Sequence, residues 1–179
     1  MRTIRGIEYH VNGIKKYFGY WDINIKAGRG ISYYSNGVKY IQGLDSNSIG
    51  ANSQDGRITT FQTNGTKSFE GKLVNCLRKG KGVLYDDSQN VLYIGNWEYS
   101  RKKGYGMLFG GNGSKKYQGW FKNDRYHGPG IAFHDNGYRK YKGEWDCGQK
   151  HGIFFEYNLN GDLFRKSQWE HDDFIMEVT

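Results

Sequence analysis

The 179-residue sequence predicts an all-β fold, an elongated single-sheet antiparallel array of stacked β-hairpins. Three observations predict it: the composition, a 24-residue period and a recurring Asn-Gly dipeptide. The chain has 27 Gly, 15 Tyr, 10 Phe and 5 Trp against a single Pro. Glycine costs about 1 kcal/mol inside a helix, whereas aromatic side chains suit a pleated, half-buried surface. The period is marked by Gly19, Gly43, Gly71, Gly95, Gly119 and Gly143, spaced 24, 28, 24, 24 and 24 residues apart. Self-similarity at a fixed period identifies a repeat architecture.

Each element follows from its register to these anchors. An N-terminal half-unit carries Ile7 and Tyr9. The first strand of every unit has Tyr17, Ile41, Phe69, Tyr93, Tyr117 or Tyr141 two residues before its anchor. Two residues after stands Trp21, Asp45, Leu73, Trp97, Phe121 or Trp145. Period two puts these large residues on one face. The second strand ends in Tyr33, Phe61, Tyr85, Phe109, Phe133 or Tyr157, each preceded at i−2 by Ile31, Thr59, Val83, Met107, Ile131 or Phe155. This strand is expected to share the first strand's apolar face.

Between the strands lie Asn12-Gly13, Asn36-Gly37, Asn64-Gly65, Asn112-Gly113, Asn136-Gly137 and Asn160-Gly161. Asn-Gly predicts a type I′ hairpin turn, which needs positive φ at both central residues. The unit after Gly71 has DDSQN there instead, and a looser turn is expected. The long unit carries four extra residues within SNSIGANSQ, which reads as a loop insertion. About fourteen strands at a spacing of about 4.8 Å would make an array roughly 65 Å long. Residues 1–169 form the array, and 170–179 an acidic and apolar tail that caps the last strand or occupies a groove.

YIGNWEYSRKKGYGMLF, YQGWFKNDRYHGPGIAF and YKGEWDCGQKHGIFF together resemble MORN repeats, whose pattern is roughly Y-x-G-x-W-x-x-G-x-x-x-G-x-G. The units at Gly19 and Gly71 match well, the unit at Gly43 lacks its tryptophan, and KSQWEHDDF reads as half a unit. Phe154 stands where the last paired glycine belongs, so the array is expected to begin terminating there. The resemblance implies a MORN repeat solenoid that scaffolds partners or docks at membranes, with no appended catalytic domain.

The glycines at GRG, GKG, GYG and GPG recur at one register, and none leads into a lysine-serine pair or a helix, which argues against a phosphate loop. His127 and His151 occupy equivalent positions about 10 Å apart, too far to share one metal. A metal site would need His134 or a second chain, and solvated turn histidines are the simpler reading. Asp86-Asp87 and Asp172-Asp173 are adjacent on the chain and so face apart on a strand, which is poor geometry for a glycosidase pair. Cys76 and Cys147 make neither a metal quartet nor a disulfide framework and are expected to be free thiols. No catalytic residue, metal or cofactor is therefore expected, and the chain is not read as an enzyme.

Charge and aromatics carry the functional reading. The net charge is +8, and residues 1–169 alone hold 26 basic against 14 acidic residues, or +12. Lys15, Lys39, Lys67, Lys115 and Arg139 stand four residues before an anchor and are expected on the aromatic face, while Lys16, Lys116 and Lys140 point away. A single-layer sheet is not expected to bury an aromatic face on itself, and exposed apolar patches mark interaction sites. A groove floored by Tyr93, Trp97, Phe109, Tyr117, Phe121, Phe133, Tyr141, Trp145 and Tyr157, with that basic rim, would take a helix or extended segment of a protein partner. The expected function is a non-catalytic scaffold in a cytoskeletal, ciliary or membrane-associated complex. Binding of anionic phospholipids such as phosphoinositides through the basic rim is the alternative. Nucleic acid is disfavoured because the aromatics already build the repeat, and an uncapped end strand offers a route to a homodimer. No apolar run is long enough to span a bilayer and the first residues carry no apolar leader core, so a soluble, cytoplasmic protein is expected.

Overall fold

The computed structural model describes residues 4–44, 57–74 and 77–178, so the SNSIGANSQ insertion, Asp45 and Cys76 lie outside the described residues. The chain is all-β, and every regular element among the described residues is a strand. It divides into two units. The first, Met1–Asn90, contains β1 (Ile4–Tyr9), β2 (Lys15–Asp22), β3 (Ile25–Tyr33), β4 (Lys39–Leu44), β5 (Arg57–Phe61), β6 (Lys67–Val74) and β7 (Leu77–Tyr85). The second, Val91–Thr179, contains β8 (Val91–Glu98), β9 (Arg101–Phe109), β10 (Lys115–Lys122), β11 (Arg125–Phe133), β12 (Arg139–Asp146), β13 (Gln149–Tyr157), β14 (Leu163–Glu170) and β15 (Asp173–Glu177). Within each unit every strand pairs antiparallel with its sequence neighbours, as stacked hairpins require.

The turns differ from expectation in kind. At each Asn-Gly only the glycine has positive φ, as at Gly137 (88°), and its N–H bonds the carbonyl three residues back, at 3.0 Å from His134 O. This is an ordinary turn closed by a left-handed glycine. Asn136 contributes by accepting the Tyr138 N–H at 3.2 Å and donating to Leu159 O at 2.7 Å, which ties its turn to the next hairpin's. The DDSQN turn is not looser: Gln89 takes the glycine's place at φ 67°, bonding Asp86 O at 3.1 Å. Its side-chain amide offsets the strain by pairing with both backbone groups of Lys67, at 3.2 and 3.0 Å. The turns with positive φ at both central residues lie at the other ends of the strands, at Ile23-Asn24, Tyr99-Ser100, Asn123-Asp124, Cys147-Gly148 and His171-Asp172.

The strand faces are also reassigned. Across β10 and β11, Tyr117 pairs with Ala132, Gln118 with Ile131, and Gly119 with Gly130. Partners across an antiparallel ladder share a face. Tyr117 and Gly119 therefore share one face with Ala132, and Ile131 lies on the other. The second strands turn Ile31, Val83, Met107, Ile131 and Phe155 away from the closed face, which corrects the single apolar face expected from period two. A register shift between Lys115 and Tyr117 adds one residue and turns Lys115 to the face of Gln118, whose Oε1 its Nζ reaches at 2.9 Å.

The tyrosine face closes on itself. Tyr17, Phe69, Tyr93, Tyr117 and Phe154 are at most 1% exposed. The nearest atoms to a Cβ built on Gly130 are all in the Tyr117 ring, so the ring lies flat where Gly119 and Gly130 leave no side chains. Neighbouring rings complete the cover: Tyr126 stacks on Tyr117 at 3.7 Å between centroids, and Phe121 meets it edge-on at 5.1 Å. Aromatic pairs of this kind each contribute about 0.5–1.5 kcal/mol beyond the area they bury. A single sheet thus buries its aromatic face without a second layer, contrary to the expectation from sequence.

In the last full repeat the arrangement changes hands. Phe154, arriving from β13, covers Gly143, and Tyr141 is left half-buried. The tail residues form β15, paired with β14, and all five of its residues are exposed. Phe174 packs edge-on against Trp169 at 5.6 Å, while Ile175 and Met176 remain about half exposed, at 49% and 53%.

Candidate functional site

The nine aromatics expected to floor one groove are divided between two faces. Tyr93, Trp97, Tyr117, Phe121 and Trp145 lie on the closed face, between 0% and 8% exposed. Burial raises the phenol pKa of Tyr117, and the neighbouring Tyr126 adds to it; burial followed by the charge of Asp124 does the same for Tyr93. Tyr141 sits between two lysines, with Lys140 Nζ 5.2 Å and Lys150 Nζ 3.8 Å from its ring centre. Phe109, Phe133 and Tyr157 stand opposite Lys115, Arg139 and Leu163 across the register shifts, and so lie on the other face.

The basic rim divides in the opposite sense from the one expected. Lys15 pairs with Tyr9, and Lys39, Lys67 and Lys115 lie over Phe61, Tyr85 and Phe133 at 4.8, 5.1 and 5.1 Å, all away from the closed tyrosine face. Lys16 reaches back to that face, where it meets Glu8 at 2.7 Å, and Lys140 reaches Tyr141. Lys116 forms an ion pair with Asp135. Most of these cations are engaged within the chain, and surface pairs of this kind contribute about 0–1 kcal/mol.

The open face of the second unit carries a group of exposed apolar residues. Trp120 (50% exposed) and Tyr105 (46%) are cross-strand partners, and Ile94 and Ile153 are each 36% exposed. With Pro129, Ile131 and Phe155, the pair Trp120 and Tyr105 lines one shallow depression. Its polar members are Gln118, whose Nε2 donates to the Tyr105 hydroxyl at 2.6 Å, and the opposed charges of Lys142 and Glu144. Sequence reasoning passed over these residues, although a signal was present. The middle residue of the paired glycines is Arg29 and Lys81 in the first unit, but Tyr105 and Pro129 in the second, and Ile153 holds the same place. Trp120 follows its anchor where the repeats at Gly71, Gly95 and Gly143 carry Lys72, Asn96 and Glu144, and those at Gly19 and Gly43 carry Tyr20 and Leu44.

At the end of the second unit a polar cluster replaces the tyrosine-on-glycine packing. Glu156 is buried and receives Arg165 through Nε and Nη2 at 3.2 and 2.8 Å, with Ser167 Oγ as a further donor. Burial pushes the Glu156 carboxyl up, but the bonds from Arg165 and Ser167 and the charges of Arg165 and Lys150 outweigh it, so its pKa is lowered. Lys150 lies 3.8 Å from the Tyr141 ring centre and 3.6 Å from that of Trp169. Its burial there lowers its pKa against the opposing pull of Glu156 and Asp172.

The histidines are also placed differently. His134 bonds Tyr157 O at 3.0 Å, and His151 packs against His171 with centroids 5.0 Å apart and the rings tilted by 39°. His127 instead meets Asp146, Nδ1 to Oδ1, at 3.2 Å, and His171 Nε2 lies 3.5 Å from Asp146 Oδ2. Cys147 is a free, exposed thiol hydrogen-bonded to Asp146; that bond lowers the carboxyl's pKa and, seen from the other partner, raises the thiol's. No helix among the described residues is long and apolar enough to cross a membrane. No protein-family model matches the chain, and no curated protein matches it.

Proposed function

We propose that the chain is a non-catalytic scaffold whose second unit binds a protein partner on its open face. The observation that supports this reading is the contiguous, half-exposed apolar surface around Trp120, Tyr105 and Ile153, which the fold itself does not cover. Exposed apolar patches rimmed by polar groups mark interaction sites, and aromatic residues anchor such interfaces. The partner offers an extended or helical segment with apolar side chains and a carboxylate for Lys142. The resemblance of the repeats to MORN units accords with a scaffold. The closed aromatic face is the structural side of the sheet.

The test is affinity capture from the source organism with wild type beside Trp120→Asp/Ile153→Asp, followed by reconstitution with each purified candidate. Flotation on anionic vesicles is run on the same preparations. Loss of a direct partner in the double variant, with its unfolding midpoint unchanged, supports the scaffold. Flotation that survives the double variant and vanishes in Lys115→Glu/Arg139→Glu replaces it with the lipid-binding alternative, in which each basic residue near the surface contributes about 1 kcal/mol.

A further inference from the structure

We propose that His127, Asp146, Cys147 and His171 form a zinc site that ties β11 and the end of β12 to two turns at one edge of the second unit. His127 Nδ1, an Asp146 carboxylate oxygen and Cys147 Sγ all lie within 4.8 Å of one another. His171 Nε2 approaches the second carboxylate oxygen at 3.5 Å. Four-coordinate zinc with bonds of about 2.0–2.3 Å sets its ligands roughly 3.3–3.8 Å apart, the scale of the 3.2 Å between His127 Nδ1 and Asp146 Oδ1, while His171 faces the other carboxylate oxygen and must turn toward the shared metal.

A second observation points to a cation. His127 Nδ1 is itself buried and makes no hydrogen bond, although it stands 3.2 Å from a carboxylate oxygen. A metal between them would engage the lone pair of each. The backbone brings His127, Asp146 and Cys147 together, and His171 reaches the cluster from the next turn. Asp146 ends β12, Cys147 and Gly148 form a turn with φ of 51° and 96°, and His171 occupies the next such turn at φ 50°. That second turn is fastened to the first hairpin through Asp172, which accepts the Lys150 N–H at 2.8 Å, and through Gln149, which donates to His171 O at 3.2 Å.

One thiolate, two imidazoles and one carboxylate suit zinc, whereas calcium and magnesium call for oxygen ligands. On binding, a sulfur–zinc bond forms, the Cys147 thiol proton passes to solvent, and no electron is transferred. His151, packed at a tilt against His171, positions that ring and is not a ligand.

The test uses the full chain stripped with a chelator and titrated with cobalt(II), then with zinc(II) in competition. The expected result is one cobalt per chain, with a thiolate charge-transfer band and the intense d–d bands of tetrahedral cobalt. Zinc displaces the cobalt, releases about one proton per chain at neutral pH and raises the melting temperature. Cys147→Ser removes the charge-transfer band. His127→Gln and His171→Gln each weaken binding at least about tenfold, while His151→Gln changes it less than about threefold. Absence of the cobalt spectrum at micromolar protein overturns the proposal. So does a site indifferent to His127 and His171, or one that needs two chains per metal.

Discussion

Gly130→Ala tests the packing principle of the closed face directly. A Cβ there would lie 2.6 Å from Tyr117 Cε2 and closer still to Cζ and Oη. Ordinary carbon contacts are about 3.5–4.0 Å, so the ring must retreat by roughly 1 Å or more. It has no room to do so, because Tyr126 stacks at 3.7 Å, Phe121 abuts at 5.1 Å and the hydroxyl donates to Trp120 O at 3.1 Å. Overpacking costs about 1–3 kcal/mol and the hydroxyl bond about 1, so the variant should lose about 2–4 kcal/mol. The measurement is urea unfolding followed by tryptophan fluorescence, in wild-type and Tyr117→Ala backgrounds. Tyr117→Ala alone should cost about 3–5 kcal/mol, and in that background Gly130→Ala should change stability by less than about 0.5. An equal cost in both backgrounds would place the penalty in the backbone and refute the reasoning.

Other outcomes follow from particular contacts. Gln89→Ala keeps a left-handed residue but loses both bonds to Lys67, so its unfolding midpoint should correspond to a loss of about 1–2 kcal/mol; Gln89→Gly should cost less because it relieves the strain. Arg165→Met leaves Glu156 buried without its cation and should destabilise by about 3 kcal/mol at neutral pH. Because the folded pKa of Glu156 lies below its ordinary 4.5, its stabilising contribution is present above that value and is lost as the pH falls through the lowered one. Unfolding midpoints across the acid range should therefore fall less steeply for Glu156→Gln than for wild type. Trp120→Ala, at a half-exposed position, should shift stability by less than about 1 kcal/mol, whereas Trp145→Ala should cost about 3–5, both read from thermal or urea melts.

The strands, the repeat period and the register of the tyrosines were legible because they depend on local propensity and fixed spacing, but the burial of those tyrosines was not. The faces were not, for an identifiable reason. Period two holds only while a ladder is regular, and the register shift before Tyr117 reverses Lys115. A single extra residue of this kind leaves no mark in composition. The turns misled similarly: Asn136-Gly137 satisfies two different hairpin geometries, while Asn123-Asp124 carries the doubly left-handed one without a glycine. The histidine cluster escaped because its members come from two turns and two strands. Counting along the chain set His127 and His151 at equivalent but separate positions and did not consider His171, whose turn is brought to the Cys147 turn by hydrogen bonding through Asp172 and Gln149. The open apolar face was hidden by the aromatics of the repeat itself, which drew attention to invariant positions and away from variable ones.

The division of the sheet into a sealed side and an open side separates two kinds of information. The sealed side is written in tyrosines and glycines that recur almost unchanged, so any alteration there is paid in folding. In each unit the open side has one free letter at the paired-glycine register, Arg29 and Lys81 in the first and Tyr105, Pro129 and, beside Phe154, Ile153 in the second. Those letters can be respelled one hairpin at a time, and the text on the reverse of the page stays intact.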